Sequence, residues 1–294
     1  MKDLKGRVAV VTGAATGMGR SIALALAEQG VDVVISDIDL DEAQKVRDEI
    51  KALGCRCLAI RTDVADRTSV AKLADETFAE FGKVDILVNN AGVTLRPYRA
   101  VWDTSYEDYR WVIDVNVMGV INGVLAFVPR MREQPGEKHI VNTSSMGTLV
   151  KVPGHSAYAA SKSAVNGFSD TIREELEPDN FGVTILFPGY VKTRIGTSER
   201  LRPEADRSDN RNVTPFSEIA ARNQEQGYQA NSDIAGAVKL KDSGDITRGI
   251  EPDGVGAMVV KAILRNEPYC MTHPTPEEGM RRHTEELIRA YLDD

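Results

Sequence analysis

The chain has 294 residues, 42% of them hydrophobic and 27% charged, with a net charge of −8 at pH 7. That is too apolar for a disordered protein and long enough for a sizeable core, with a prior of about two domains on length alone. The acidic balance argues against nucleic acid or an anionic membrane as the main partner, since both are bound through Lys and Arg. No run of apolar residues approaches the roughly 18 that a membrane-spanning helix needs. The opening Met1-Lys2-Asp3-Leu4-Lys5-Gly6 carries no apolar stretch, so no signal peptide is expected. Cys55, Cys57 and Cys270 form neither a disulfide framework nor a CxxC signature. His139, His155, His273 and His283 show no paired-ligand spacing. Together these predict reduced thiols, no metal and a cytoplasmic protein.

In chain order, short β-branched runs alternate with helical stretches. The runs 7–12, 32–36, 57–61, 84–88, 139–143 and 183–187 read as strands, continuous enough in Val, Ile and Leu to be buried on both faces of a parallel sheet. Between them, 17–29, 41–53, 68–81, a long 105–131 and 156–176 read as helices, three of them closed by Gly30, Gly54 and Gly82. Such alternation predicts an α/β fold with a doubly wound parallel sheet, whose ligands lie at the carboxyl ends of the strands. After Thr193 the chain turns polar, with one short helix over 216–226, and reads as a substrate lid. A helix over 252–265, a strand over 269–273 and a polar helix over 276–292 complete about seven strands. The reading is one domain, with a core over 1–193, a lid over 194–250 and an extension over 251–294.

The strand ends carry the chemistry. The first ends in Thr12-Gly13-Ala14-Ala15-Thr16-Gly17-Met18-Gly19-Arg20 and opens a helix. Glycines there let the backbone approach a pyrophosphate at the helix N-terminus, although a purely structural turn has the same look. The spacing is GxxxGxG, neither GxGxxG nor a P-loop. Asp37 ends the second strand, where a carboxylate accepts from ribose hydroxyls and repels a 2′-phosphate, selecting NAD over NADP. The alternative is a solvated aspartate beside Asp39 and Asp41. Arg20, the one basic residue near enough to favour NADP, reads as a helix-surface side chain. In Thr62-Asp63-Val64 a carboxylate could meet the adenine amino group, and Asn89-Asn90-Ala91-Gly92 is small enough to let a flat ring lie on the backbone.

With Ser145, Tyr158-x-x-x-Lys162 and Pro188-Gly189-x-Val191-x-Thr193, these motifs make the chain resemble the short-chain dehydrogenase/reductase family over residues 5 to 193. The resemblance implies a Rossmann-type fold and an NAD(P)-dependent oxidoreductase acting on CH–OH groups, assembled as a homodimer or homotetramer. It places cofactor contacts at Gly13, Thr16, Gly17, Met18, Gly19, Asp37, Asp63, Val64, Asn90, Ala91, Gly92, Tyr158, Lys162, Pro188, Gly189, Val191 and Thr193. Tyr158 and Lys162, four residues apart, share one helix face. A phenol titrates near 10, and a nearby ammonium is expected to lower it toward the working range of a general base. The resemblance gives Lys162 a grip on the nicotinamide ribose and makes Ser145, rather than Ser144, the partner of the substrate oxygen. It makes Asn116 the holder of a relay water, consistent with a local kink in the long helix.

Met146 and Tyr190 join Ser145 and Tyr158 as candidate substrate contacts, with Thr94, Leu95, Gly147 and His155 nearby. The mixture suggests a medium or large, partly apolar or aromatic alcohol or ketone rather than a sugar or an acid. No arginine stands out in the sequence as placed to clamp a carboxylate, with Arg96 and Arg194 the exceptions to weigh. The run 116–123, the segment Arg200-Leu201-Arg202-Pro203 and the C-terminal region also resemble a bacterial branch that includes dehydrogenases of benzylic alcohols in lignin-type aryl ethers. The family's usual ending is missing, because Pro274 leads into an extra charged helix. Dimers are expected through the helices 105–131 and 156–176. Two rival readings are a carbonyl reductase using the same site and a non-catalytic dinucleotide-binding regulator.

Overall fold

The computed structural model describes residues 1–149, 152–204, 207, 213–214, 218, 229–230, 238–239, 249–274 and 277–292. Seven parallel strands form the central sheet: β1 (Val8–Thr12), β2 (Asp32–Asp37), β3 (Cys57–Arg61), β4 (Ile86–Asn89), β5 (Lys138–Thr143), β6 (Phe181–Phe187) and β7 (Tyr269–Met271). Their order is β3-β2-β1-β4-β5-β6-β7, so the chain winds outward from β1 in one direction and, from β4, in the other. Every residue of β1, β4, β5 and β6 is buried, as strands covered on both faces must be. A separate two-residue antiparallel pair joins Gln229–Ala230 to Val238–Lys239.

Helices α1 (Gly17–Glu28), α2 (Leu40–Ala52), α3 (Arg67–Phe81), α4 (Tyr106–Ile113), α5 (Gly119–Arg132), α6 (Ser156–Leu176), α7 (Asp253–Arg265) and α8 (Glu277–Leu292) complete the fold. On one sheet face Ile22 and Leu26 of α1 and Val259 and Ile263 of α7 pack on Val33 and Ile35. On the other, Leu73, Phe78, Phe127, Met131, Ile172 and Leu176 cover Val34, Leu87 and Ile140. Local signals set the helix starts. Asp39 caps α2 by accepting from the Glu42 amide, and Ser105 and Asp108 form a reciprocal capping box on α4.

The predicted helix over 105–131 is divided by a π turn, Asp114–Met118, with Asn116 fully buried inside it. Taken whole, Tyr106–Arg132 is 27 residues long and, among the described residues, is the one helix long and apolar enough to cross a membrane. Polar residues punctuate this helix, so it contains no uninterrupted apolar run of membrane-spanning length. Half of its most apolar window is buried inside the molecule, which accounts for the composition.

The start of the predicted lid is structured. Arg194–Leu201 forms short 3₁₀ turns anchored to the loop after β4. The Ser198 hydroxyl accepts from the Thr94 amide at 2.9 Å and donates to its carbonyl at 2.8 Å. Beside it Asp108, at the start of α4, takes Arg99 on one oxygen and Arg202 on the other, with Glu199 alongside both arginines. The hydrogen bonds from Arg202 and Arg99 outweigh burial and hold the Asp108 carboxyl below its ordinary range. The helix expected over 216–226 lies outside the described residues, apart from Glu218. Cys55, Cys57 and Cys270 are free thiols, and burial pushes Cys57 up to about 12 and Cys270 to about 11.

Candidate active site

A cleft of about 800 Å³ opens along the carboxyl ends of the strands. Of the residues singled out from the sequence as catalytic or ligand-binding, all but Leu95 and Asn116 line it, Leu95 packing instead in a buried cluster with Val112 and Ala157.

The glycine turn forms the floor of one half. Gly13 has φ +62°, and a Cβ there would lie 2.7 Å from Ala91 Cα. A Cβ on Gly19 would lie 2.1 Å from the Gly13 carbonyl oxygen, so no side chain fits. The Asn90 amide group ties this floor together, donating to the carbonyls of Thr12 and Gly13 at 3.0 and 3.1 Å. Thr12 Oγ1 accepts in return from the amides of Asn90 and Ala91. Three buried polar atoms of cleft-lining residues have no partner among the described residues: Asn90 Oδ1 and Thr143 Oγ1 by this floor, and Arg96 Nη1 in the other half. A side-chain-free floor at a helix N-terminus with spare polar atoms fits an extended dinucleotide.

Asp37 closes this half. Its two oxygens accept from the amides of Ala15 and Asp39, both at 3.0 Å. Burial raises its pKa, with those amides pulling the other way. Arg20 points elsewhere, fastened to Glu49 of α2 by two hydrogen bonds. Asp63 turns one oxygen to the Ala65 amide at 3.0 Å, and Val64 offers its carbonyl to Asn122.

At the other end α6 presents Tyr158 and Lys162 one turn apart. Lys162 is 2% exposed, and its Nζ donates to the Thr143 carbonyl at 2.8 Å and sits 5.7 Å from the Tyr158 ring centre. Burial pushes the ammonium down to about 8. The Tyr158 hydroxyl is raised, not lowered: desolvation outweighs the hydrogen bond from Ser145 and the charge of Arg96. The i,i+4 spacing is as expected, but a site this dry disfavours charge on both groups. Ser145 accepts from the Gly147 amide at 3.0 Å and reaches Tyr158, while Ser144 is buried and donates to the Lys162 carbonyl. That separates the two serines: Ser145 faces the cleft and Ser144 anchors α6.

Asn116 stands behind this group. Its Oδ1 accepts from the Val93 amide at 2.8 Å, and its Nδ2 donates to the Val93 carbonyl and to Ser161 Oγ, both at 3.0 Å. Gly92 lies between it and Lys162, since a Cβ on Gly92 would be 3.3 Å from both Asn116 Oδ1 and Lys162 Nζ. Both Nδ2 hydrogens of Asn116 are thereby committed, one to the loop after β4 and one to α6, while Oδ1 has one of its two acceptor sites filled. Pro188, Gly189, Val191 and Thr193 form the facing wall, Thr193 lying against Gly17. Met146 lines the cleft but is fully buried with Ile185 and Phe187, whereas Tyr190 is partly exposed at the rim.

His155 and Tyr158, both named from the sequence, belong to an aromatic tier whose other members were not. His155 stacks on Tyr158 at 4.5 Å and 5°, and Tyr98 meets His155 edge-on at 4.9 Å. Burial pushes His155 down to about 3, so it is a neutral ring, with Nε2 at 2.9 Å from Thr94 Oγ1. Tyr98, Tyr106 and Trp111 also line this half. Their cluster of aromatics just after the fourth strand is the signal that could have found them, since strand-end loops face the ligand.

Comparison with known proteins agrees with this architecture. The family model described as short chain dehydrogenase matches residues 7–204. The C alpha-dehydrogenase of Sphingobium sp. strain SYK-6 is 30% identical over 289 residues, covering 98% of this chain and 87% of its own. A CLA biosynthesis dehydrogenase/reductase of Lactiplantibacillus plantarum is 32% identical over 276 residues, covering 93% of this chain and 90% of its own. The solved structure of a short chain dehydrogenase/reductase from Burkholderia phymatum in complex with NAD superposes with a TM-score of 0.83 at 33% identity, covering 98% of this chain and 97% of the other. From the glycine floor to the Tyr158–Lys162 pair, fold and similarity lead to the same place, and the chain belongs to the short-chain dehydrogenase/reductase family of oxidoreductases.

Proposed function

We propose that the protein is an NAD-preferring enzyme that interconverts a medium or large, partly apolar or aromatic secondary alcohol and its ketone, with Tyr158 as general base and acid. The observation that carries this is the meeting of Tyr158, Ser145 and Lys162 at one end of a cleft whose other end is closed by Asp37. The NAD preference is supported by Asp37 at the end of β2, by the pinning of Arg20 on Glu49 and by the NAD held in the Burkholderia relative. Alcohol oxidation is supported by the name of the Sphingobium relative. A cytoplasmic setting is in keeping with three free thiols. Pairing of two copies is supported by the exposed Met118 and Leu125, at 39% and 62%, on the long helix.

When bound, nicotinamide dinucleotide supplies the hydride acceptor and, in its oxidised form, a cationic ring. Tyr158 takes the proton of the substrate hydroxyl, and Ser145 orients that oxygen by hydrogen bonding. Lys162, within reach of the phenol ring, passes the proton on. The π turn around Asn116, behind Lys162, is where a relay water would be held.

Reduction of a ketone is the second reading of the same site, because burial keeps the proton on the Tyr158 phenol, which can then deliver it to a ketone oxygen. The test is a panel of secondary alcohols and ketones with NAD(H) and NADP(H), followed at 340 nm. Tyr158→Phe is expected to bind NADH nearly normally and to lose about 10²–10⁴-fold in turnover. Retained turnover in that variant would overturn the assignment.

A further inference from the structure

We propose that Arg96 is an anion-recognition residue of the substrate half, so that the alcohol or ketone turned over carries a carboxylate or a comparably charged acidic group. This deepens the dehydrogenase reading above and rests on it for the reacting carbon, though not for the binding of the anion.

Arg96 follows β4 and lines the cleft. Its guanidinium carbon lies 3.9 Å over the Tyr98 ring, and Tyr98, His155 and Tyr158 continue the same tier down to the reacting hydroxyl. Its Nη1 is buried and has no hydrogen-bond partner among the described residues, and no carboxylate there pairs with the side chain. The neighbouring arginines show the contrast, since Arg99 and Arg202 both rest on Asp108. Arg96 as a whole is only half-buried, but an arginine cannot shed its proton, so burying one of its nitrogens without a partner is a standing cost. An anionic ligand group removes that cost, and the planar fork suits a carboxylate in particular.

Among the described residues nothing neutralises Arg96 from within. His155 is neutral and spends Nε2 on Thr94. The acidic residues that line the cleft are Asp37 and Asp63 in the cofactor half, and Glu107 and Asp114 on the α4 side, and none of them forms an ion pair with Arg96. The charge of Arg96 is felt at Tyr158, which places an anion held by Arg96 within electrostatic reach of the reacting oxygen. This departs from the expectation, drawn from the sequence, that the substrate is not an acid: the apolar tier and a guanidinium with no carboxylate partner among the described residues suit a molecule with an aromatic or alkyl body and one acidic end.

The test compares three hydroxy acids, each with its N-methyl amide: 3-hydroxybutanoate and 3-hydroxy-3-phenylpropanoate, with one methylene between carbinol and carboxylate, and 4-(1-hydroxyethyl)benzoate, with a para-phenylene ring between them. Wild type, Arg96→Gln and Arg96→Lys are assayed for kcat/KM and, by calorimetry in the presence of cofactor, for binding. In at least one pair wild type is expected to favour the carboxylate by about 10–100-fold, the worth of one charge-assisted contact. Arg96→Gln removes the preference and Arg96→Lys keeps part of it. Equal use of acid and amide by wild type, or an unchanged preference in Arg96→Gln, overturns the proposal. So does an Arg96→Gln variant whose pH profile moves while the ratio stays fixed, because Arg96 then acts on Tyr158 alone. Arg96-dependent carboxylate binding without turnover of any probe upholds the proposal and counts against the dehydrogenase reading. Absence of both binding and turnover overturns it.

Discussion

Replacing Lys162 with Met tests the electrostatics of the site through stability. The ammonium is 2% exposed and donates to the Thr143 carbonyl at 2.8 Å, and no carboxylate among the described residues balances it. Burial moves its pKa from 10.5 down to about 8. At about 1.4 kcal/mol per pH unit, keeping the proton on in the folded state costs about 3 kcal/mol. Below about 8 the folded and unfolded chains are both protonated and the whole penalty is present. Between about 8 and 10.5 the unfolded chain holds more protons than the folded one, so stability rises with pH. Methionine has similar length and no charge to desolvate, so its contribution does not change with pH. Urea unfolding of both proteins at pH 7.5 and pH 10, followed by tryptophan fluorescence, gives the comparison, with other titrating groups cancelling in the difference. Wild type is expected to gain about 2–3 kcal/mol on the variant between the two pH values. An unchanged gap would show that the ammonium is already solvated or paired, and the reasoning would fail.

Asp108→Ala leaves Arg99 and Arg202 buried without their carboxylate and removes half of the α4 capping box, for an expected loss of about 3–5 kcal/mol. An unfolding midpoint within error of wild type would show that the cluster is not buried in solution. Asp37→Ala is expected to raise kcat/KM with NADPH relative to NADH; steady-state kinetics with both cofactors check this, and an unaltered ratio refutes the role given to Asp37. Gly19→Ala puts a Cβ 2.1 Å from the Gly13 oxygen and 2.6 Å from Asn90 Nδ2, so the floor must open and the NADH Kd rise by more than about tenfold. Fluorescence titration reads that directly, and an unchanged Kd would show that the turn gives way elsewhere.

Much of this site was open to reading because its parts are local in sequence. The glycine turn, Asp37 at the end of a strand and the Tyr158–Lys162 spacing each sit within one strand, helix or turn, and periodicity located those elements. The kink at Asn116 was also inferable, because an asparagine inside a helix competes for backbone partners. What escaped reading depended on contacts between distant segments. Arg202 and Asp108 are 94 residues apart, and Ser198 and Thr94 are 104 apart, so nothing local announces either latch. The sign of the Tyr158 shift escaped for a related reason. Spacing shows that an ammonium is near, but the desolvation that outweighs it arises only when His155, Tyr98 and the strand ends close over the phenol.

The buried Asp108 cluster also constrains how this scaffold can be re-engineered. Exchanging the 194–204 segment for that of a relative, the obvious way to transplant specificity, would strand Arg99 and Asp108 against an unmatched insert. The transplantable unit is therefore discontinuous: the stretch from Thr94 to Asp108 must travel with the stretch from Ser198 to Arg202. A chimera that moves one without the other trades selectivity for a foldability defect before any new substrate is encountered.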